Sequence, residues 1–429
     1  MVVADDRDGD GRLAPGVVEQ LIRDDRVSGR LYTDPRVFER EMARIHHRGW
    51  LFVGHESEVA LPGEFVTRRL GLQPVVVTRD ERGGVHVFSN RCPHRGATVC
   101  ALDHGRSRYF RCPYHGWTFD GAGSLVALPA EDGFGPTFDR AEHGLVPVPR
   151  TDVYRGFVFA SWSGDGPTLT EHLGRSCEMI DRLCDLSPVG EIELRAGWLR
   201  HRVRANWKIA AENVCDFYHP PITHASSGLT TGVPAGFFSD SSGGVTRDLG
   251  SGHGEVDYRP AQVGAPPRAL EDHRGARRRH LDALVERDGP AGAVARLRAG
   301  PPHGFIFPNL FIAEQNIFVI EPVSVGELSH RQTPVQWVGV PEDVNRRHLR
   351  RFEGGFGPAG MVEPDDSAVW ERRQVGLEAG APEWAILERG TGRDAAGEGR
   401  LLDEIALRGF WRHYRALMRD DVTDGAPAR

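Results

Sequence analysis

Apolar and polar positions change rhythm twice along this chain. Residues 1–30 are mostly polar and open on an Asp/Arg/Gly-rich stretch, which predicts a loose tail. Asp34 and Pro35 then have the form of a helix N-cap and first helical residue. Phe38, Met42 and Ile45 recur at helical spacing behind them, so a helix is predicted over 35–47. From Trp50 the period shortens. Segments 65–70, 74–78 and 85–89 read as strands, with a turn at 80–84. Thr118 to Val126 has hairpin form around Asp120-Gly121-Ala122-Gly123, and Tyr154 to Trp162 reads as one last strand. Residues 48–165 are thus predicted as an all-β domain, preceded by the segment 1–47.

The second change comes after Gly164. A helix is predicted over 169–186, a strand over 192–203 and a helix over 206–218. The Ser/Gly/Pro-rich segment 226–265 is predicted as loops over a pocket, and the arginine-rich 270–298 as a solvated helix. Phe305 to Val325 reads as two strands and Gln332 to Val340 as another; helices follow at 344–354, 367–377 and 401–418. The chain is expected to be α+β, with 166–429 as a second domain.

Composition narrows the class. The 429 residues suffice for two or three cored domains. Lys plus Arg is 53 against 60 Asp plus Glu, a net charge of −7 that argues against nucleic acid as a partner. Six cysteines show no disulfide framework, which fits a reducing cytoplasm. The N-terminus lacks a secretory apolar core, and no apolar run reaches transmembrane length.

The chemistry concentrates between Cys92 and His115. Cys92-Pro93-His94-Arg95-Gly96 and Cys112-Pro113-Tyr114-His115-Gly116-Trp117 each offer one thiolate and one imidazole. Zinc would accept four such ligands, but zinc fingers usually take a cysteine pair from one loop and a histidine pair from a helix. Mixed loops suit a Rieske [2Fe-2S] cluster, in which one iron takes both cysteines and the other both histidines. The extra loop cysteines of respiratory Rieske proteins are replaced here by Ala97 and Tyr114, and Cys100 has no partner in the second loop. The pattern therefore resembles the Rieske centres of oxygenases and their ferredoxins.

A second constellation follows. Asp216, His219 and His224 form D-x2-H-x4-H, with Pro220 and Pro221 expected to end the preceding helix at His219. Two such imidazoles can bind a divalent metal, and a carboxylate would complete a facial triad. With Asn206-Trp207-Lys208 and Glu212-Asn213 ahead of them, these residues resemble the iron site of the α subunits of Rieske non-haem iron ring-hydroxylating dioxygenases, over nearly the full length. The resemblance implies a third ligand after the Gly-rich Phe356–Gly360: Asp366, with Asp365 as the alternative. It also implies an antiparallel sheet covered by helices as the catalytic domain. His55-Glu56-Ser57, Tyr154-Arg155-Gly156, the stretch 185–190 and 303–310 most resemble the benzoate, toluate and anthranilate type.

What the family implies is concrete. A separate reductase, with flavin and a plant-type iron–sulfur cluster, takes hydride from NADH; no dinucleotide-binding loop occurs in this chain. Electrons pass through the Rieske cluster to mononuclear Fe(II), and both atoms of O2 add to an aromatic ring, here expected to carry a carboxylate. The product is a cis-dihydrodiol or a catechol. Asn213 is expected beside the iron without being a firm ligand. Asp216 is expected to support His219 and to face the Rieske histidine of a neighbouring subunit in an α3 or α3β3 assembly. A monooxygenase or demethylase with the same metals, an electron-transfer ferredoxin and a zinc-stabilised module are the competing readings.

Overall fold

The computed structural model describes residues 13–231, 239–259, 275–393 and 397–419. Two compact units emerge: Met1–Ile45 with Thr170–Ile192 and Ala196–Arg429, and His46–Leu169 with Glu193–Arg195. The short return of Glu193–Arg195 to the smaller unit is not visible in the sequence pattern.

The smaller unit consists of short antiparallel sheets. Glu64–Leu70 lies between Gln73–Arg79 and His104–Arg106, with Val85–Ser89 at the edge. Leu51–His55, Phe157–Ser161 and Arg150–Tyr154 form a second sheet, and Tyr109–Arg111, Thr118–Asp120 and Leu125–Ala127 a third. Local chemistry fixes the reversals. Asp80 accepts from the backbone N–H of Arg82 and Gly84, and Asp120 from Ala122 and Ser124, at 2.8–2.9 Å. Alternate residues of the strands bury Leu51, Val66, Val75, Val77 and Val158 in one core. Phe65, Phe110, Trp117 and Phe119 form another, which includes Cys92 and Cys112. The single strand expected over 154–162 is instead half of a hairpin. Arg155 and Gly156 have φ of 50° and 85° and reverse the chain there.

The larger unit is built on one antiparallel sheet. Its strands are β1 (Leu199–Val203), β2 (Val245–Gly250), β3 (His253–Asp257), β4 (His303–Ile306), β5 (Leu310–Ala313), β6 (Asn316–Ser324), β7 (Glu327–Pro334) and β8 (Glu398–Arg400). Their spatial order is β1-β7-β6-β5-β4-β3-β2-β8, antiparallel throughout. Three helices matter to the site: α1 (Trp207–Asn213), α2 (Glu363–Glu378) and α3 (Ile405–Leu417). No helix among the described residues is long and apolar enough to cross a membrane.

Several expected elements are corrected here. Residues 305–325 hold most of three strands, because Pro308 cannot continue a ladder and Glu314 turns at φ 56°. The 192–203 strand is interrupted around Gly197, at φ 94°. The 169–186 helix breaks at Gly174, and the 206–218 helix stops at Asn213. Within 226–265, expected as loops, lie a helix at Ala225–Thr231 and strands β2 and β3; residues 232–238 and 260–265 lie outside the described residues. Part of the expected loose tail, residues 1–12, is also outside them. Residues 13–30 instead contribute buried Leu13, Val18, Leu21, Ile22 and Val27 to the main core.

Helix α1 is fixed through buried charges. Asn206 caps it, accepting from the Lys208 N–H at 3.1 Å. Lys208, fully buried, reaches Glu41 at 2.5 Å, and Glu41 also takes the Trp207 indole N–H and the Tyr414 hydroxyl. One turn on, Glu212 accepts from Tyr32 Oη, Trp411 Nε1 and Arg373 at 2.6–2.7 Å. Each buried carboxylate thus has several donors, the condition under which a buried charge is tolerated. Asn213 ends a helix held from both the N-terminal segment and α3.

Candidate metal centres

The two cysteine–histidine loops fold alike. Cys92 N–H donates to the Ala97 carbonyl and Cys112 N–H to that of Trp117, at 2.8 and 2.7 Å. In each loop the glycine N–H returns to the cysteine carbonyl, and Gly96 and Gly116 take φ of 77° and 74°, which favours glycine. The hairpin bases are firm: Asn90 bonds both backbone groups of Cys100 beside the first loop. Cys92 and Cys112 are each 2% exposed, and their thiols interact directly. Burial, with the adjacent Cys112, pushes the Cys92 thiol pKa up. His94 and His115 face each other with ring centroids 4.5 Å apart. His94 lies flat on Trp117, 4.9 Å away at 3°, and its Nδ1 is sealed without a partner. Two thiols and an orphaned imidazole nitrogen brought together are a donor set suited to a cation that replaces protons. All six cysteines are free thiols.

The second centre joins three pieces of chain. Beyond Asn213 the backbone turns irregularly, and His219 stands at the N-cap of a short helix, Pro220–Thr223. Pro220 therefore begins a helix rather than ending one, and His219 is not on the last turn of α1 as the spacing predicts. Proline suits that first position because its missing N–H would have no helical partner. His224 closes this turn through its N–H to the Pro220 carbonyl, at 3.0 Å. Helix α2 begins four residues earlier than expected, at Glu363, which places Asp365 and Asp366 in its first turn. Asp366 Oδ1 then lies 3.4 Å from His219 Nε2, 3.2 Å from His224 Nε2 and 3.2 Å from Asn213 Nδ2. One donor atom from each of His219, His224 and Asp366 fits within a span of 4.8 Å.

Carboxylates also stand on the outer side of both rings. Asp216 Oδ2 is 3.1 Å from His219 Nδ1, while its Oδ1 accepts the Tyr218 N–H at 2.7 Å. Asp365 Oδ2 lies 3.6 Å from His224 Nδ1, beyond hydrogen-bond length but close enough to act electrostatically. The two aspartates of the α2 turn thus take different places: Asp366 faces the inner nitrogens, Asp365 an outer one. Burial alone would lower the His219 pKa, but bonds to Asp216 and Asp366 outweigh it and push it up to about 9. Burial likewise opposes ionisation of Asp366, yet the two histidines hold its carboxyl well below the ordinary range.

Asp365 was expected only as an alternative ligand; its outer position depends on where α2 starts. His303 was not singled out as a site residue, although its ring packs 5.3 Å from Phe217, two residues before His219. Its only sequence signal was a place in the stretch 303–310.

Both parts of the chain match known protein families. Residues 49–147 match the model of the Rieske [2Fe-2S] domain, and residues 186–420 that of the ring hydroxylating alpha subunit catalytic domain. The N,N-dimethyl phenylurea N-demethylase subunit alpha of Sphingobium sp. is 32% identical, covering 96% of this chain and 95% of its own. The 2-halobenzoate 1,2-dioxygenase large subunit of Burkholderia cepacia is also 32% identical, over 88% of this chain and 84% of its own. The structure of naphthalene 1,2-dioxygenase from Rhodococcus sp., solved with indole bound, superposes with a TM-score of 0.79 at 27% identity, covering 93% of this chain and 95% of that one.

Proposed function

The chain belongs to the family of ring-hydroxylating α subunits that carry a Rieske domain, and from that premise we propose that it adds both atoms of dioxygen to an aromatic ring. The observation that carries the reading is the convergence of His219, His224 and Asp366 in a chain that also holds the paired Cys/His loops. NADH, through a separate reductase, gives two electrons; dioxygen takes them with two protons, and both oxygens end as ring hydroxyls. A [2Fe-2S] cluster on Cys92, Cys112, His94 and His115 would relay single electrons, and an iron ion on His219, His224 and Asp366 would supply the oxygen chemistry.

The chain's own residues prepare that centre. Asp216 accepts the His219 Nδ1 hydrogen, so that Nε2, directed at Asp366, is the nitrogen that would serve a metal ion. Asn213 donates to Asp366 Oδ1 and so restrains the carboxylate. Phe217 and Phe311 both pack edge-on against His303, with centroids 5.3 and 5.0 Å away, and offer apolar surface to a ring. Asp216 is also the acid we assign to electron transfer between subunits, in an α3 or α3β3 assembly.

The benzoate-type marks and the 2-halobenzoate relative support an aromatic acid as substrate. The N-demethylase relative has the same identity, 32%, over 96% of this chain against 88% for the 2-halobenzoate enzyme. Turnover of a panel of aromatic acids with reductase, NADH and isotopically labelled dioxygen decides the matter. Two labelled oxygens on the ring are expected. One labelled oxygen with release of formaldehyde would make the enzyme a demethylase, and absence of any oxidised product would overturn the proposal.

A further inference from the structure

His303 opens strand β4, paired with Ala313 of β5. Phe305 pairs with Phe311 in the same ladder, so Phe311 is the diagonal neighbour of His303 on one face of the sheet. The imidazole stands edge-on to Phe311, Phe217 and Tyr258, with centroids 5.0, 5.3 and 5.9 Å away. The Val214 carbonyl acts on the imidazole in the direction that favours a hydrogen on the ring, and a neutral imidazole carries that hydrogen on one nitrogen only. Burial keeps the ring neutral, with its pKa lowered to about 4, and His219 acts in the same direction. The second nitrogen therefore offers a lone pair, and no described residue bonds it. Nor is it sealed in, as His330 Nε2 is. The side chain is half-buried and keeps accessible surface.

We infer that His303 is the polar anchor of the substrate: its open nitrogen accepts a hydrogen bond from an O–H or N–H on the ring substituent, with Phe217 and Phe311 beside the ring. The inference rests on the aromatic-ring reading and adds to it the chemistry of the substituent. A phenol, aniline or anilide brings the hydrogen itself. An aromatic acid must bind with one proton taken from solution, shared between its carboxyl group and the imidazole. His219 and Asp366, which would hold the metal ion, are the charged groups that act on His303. Tyr258, whose pKa burial raises well above 10, remains uncharged. A plain arene leaves the nitrogen unpaired.

The test uses the metal-loaded enzyme with its reductase and compares His303→Phe and His303→Gln with wild type. Affinity and KM are measured for a phenol, an aromatic acid and an uncharged arene of similar size. His303→Phe should weaken binding of the substituted rings by about tenfold or more and leave the arene unchanged. Glutamine, which keeps an acceptor, should recover most of the loss. In wild type, affinity for the phenol should be flat across neutral pH, while that for the acid should fall about tenfold per pH unit. Iron content and the cluster spectrum report folding; if His303→Phe loses either, the glutamine variant and the wild-type pH profiles decide. Equal effects on all three ligands, or none, would overturn the anchor alone. Failure of wild type to oxidise any ring compound would overturn the proposed function and the anchor with it.

Discussion

Asp216→Asn is the sharpest probe of the iron site. The carboxylate holds two groups at once, the Tyr218 N–H at 2.7 Å through Oδ1 and His219 Nδ1 at 3.1 Å through Oδ2. Asparagine has one acceptor oxygen, so its NH2 must face one of these partners. If the oxygen stays with Tyr218, the amide hydrogens meet His219 Nδ1, and a bond forms only if that nitrogen is the acceptor. The imidazole hydrogen then moves to Nε2, the nitrogen 3.4 Å from Asp366 that an ion would need. If the oxygen goes to His219, the Tyr218 N–H is opposed and the turn before His219 is disturbed. Loss of such an outer partner typically costs 10–100-fold in metal affinity or activity, or about 1.4–2.7 kcal/mol. The assay is anaerobic titration of iron into the cluster-loaded, metal-depleted protein, followed by single turnover of pre-reduced enzyme. Weaker iron binding in that range and slow product formation are expected, with the cluster spectrum and subunit assembly retained. Wild-type iron affinity together with unimpaired single turnover would refute both the tautomer argument and the assignment of Asp216 to electron transfer.

Asp366→Ala should remove the mononuclear iron and activity, whereas Asp365→Ala should keep iron with reduced affinity; metal analysis of the two variants separates the inner from the outer aspartate. Cys92→Ser or His115→Ala should abolish the Rieske electron-paramagnetic signal, in a wild-type protein containing about three irons per chain. Lys208→Met leaves Glu41 charged and fully buried, so chemical denaturation should show a loss of about 3–5 kcal/mol, much of it restored in the Lys208→Met/Glu41→Leu double variant. Acid should destabilise the larger unit through His253, whose Nδ1 accepts the Phe307 N–H and whose Nε2 donates to the His172 carbonyl. Burial lowers its pKa to about 4, below the unfolded value, so the stability it contributes is present above about pH 6.5 and is lost as pH falls toward 4. At pH 5 that loss is about 2 kcal/mol, and equal unfolding free energies at pH 5 and 7.5 would contradict it.

What the sequence determined by itself is local. The donor set of the Cys92–His115 loops is legible from residue type and offset, because each loop is closed by its own backbone bonds and glycines. The Asp80 and Asp120 turns are legible for the same reason: the capping side chain and the turn share a few residues. Most of the longer helices were readable, but the helix at Ala225–Thr231 was not, and neither were helix ends, since the end of α1 and the start of α2 depend on what packs there. Tertiary structure decided the rest. Asp366 and Asp365 are adjacent and chemically identical, and only the 3.2–3.4 Å approach of α2 to His219 and His224 gives one the inner place. Lys208 and Glu41 are 167 positions apart, and nothing local marks them as a buried pair. His303 looks in sequence like any strand histidine. β4 brings it against Phe217, two residues before His219, and a contact across such a separation exists only once the sheet and the helices above it have closed on each other.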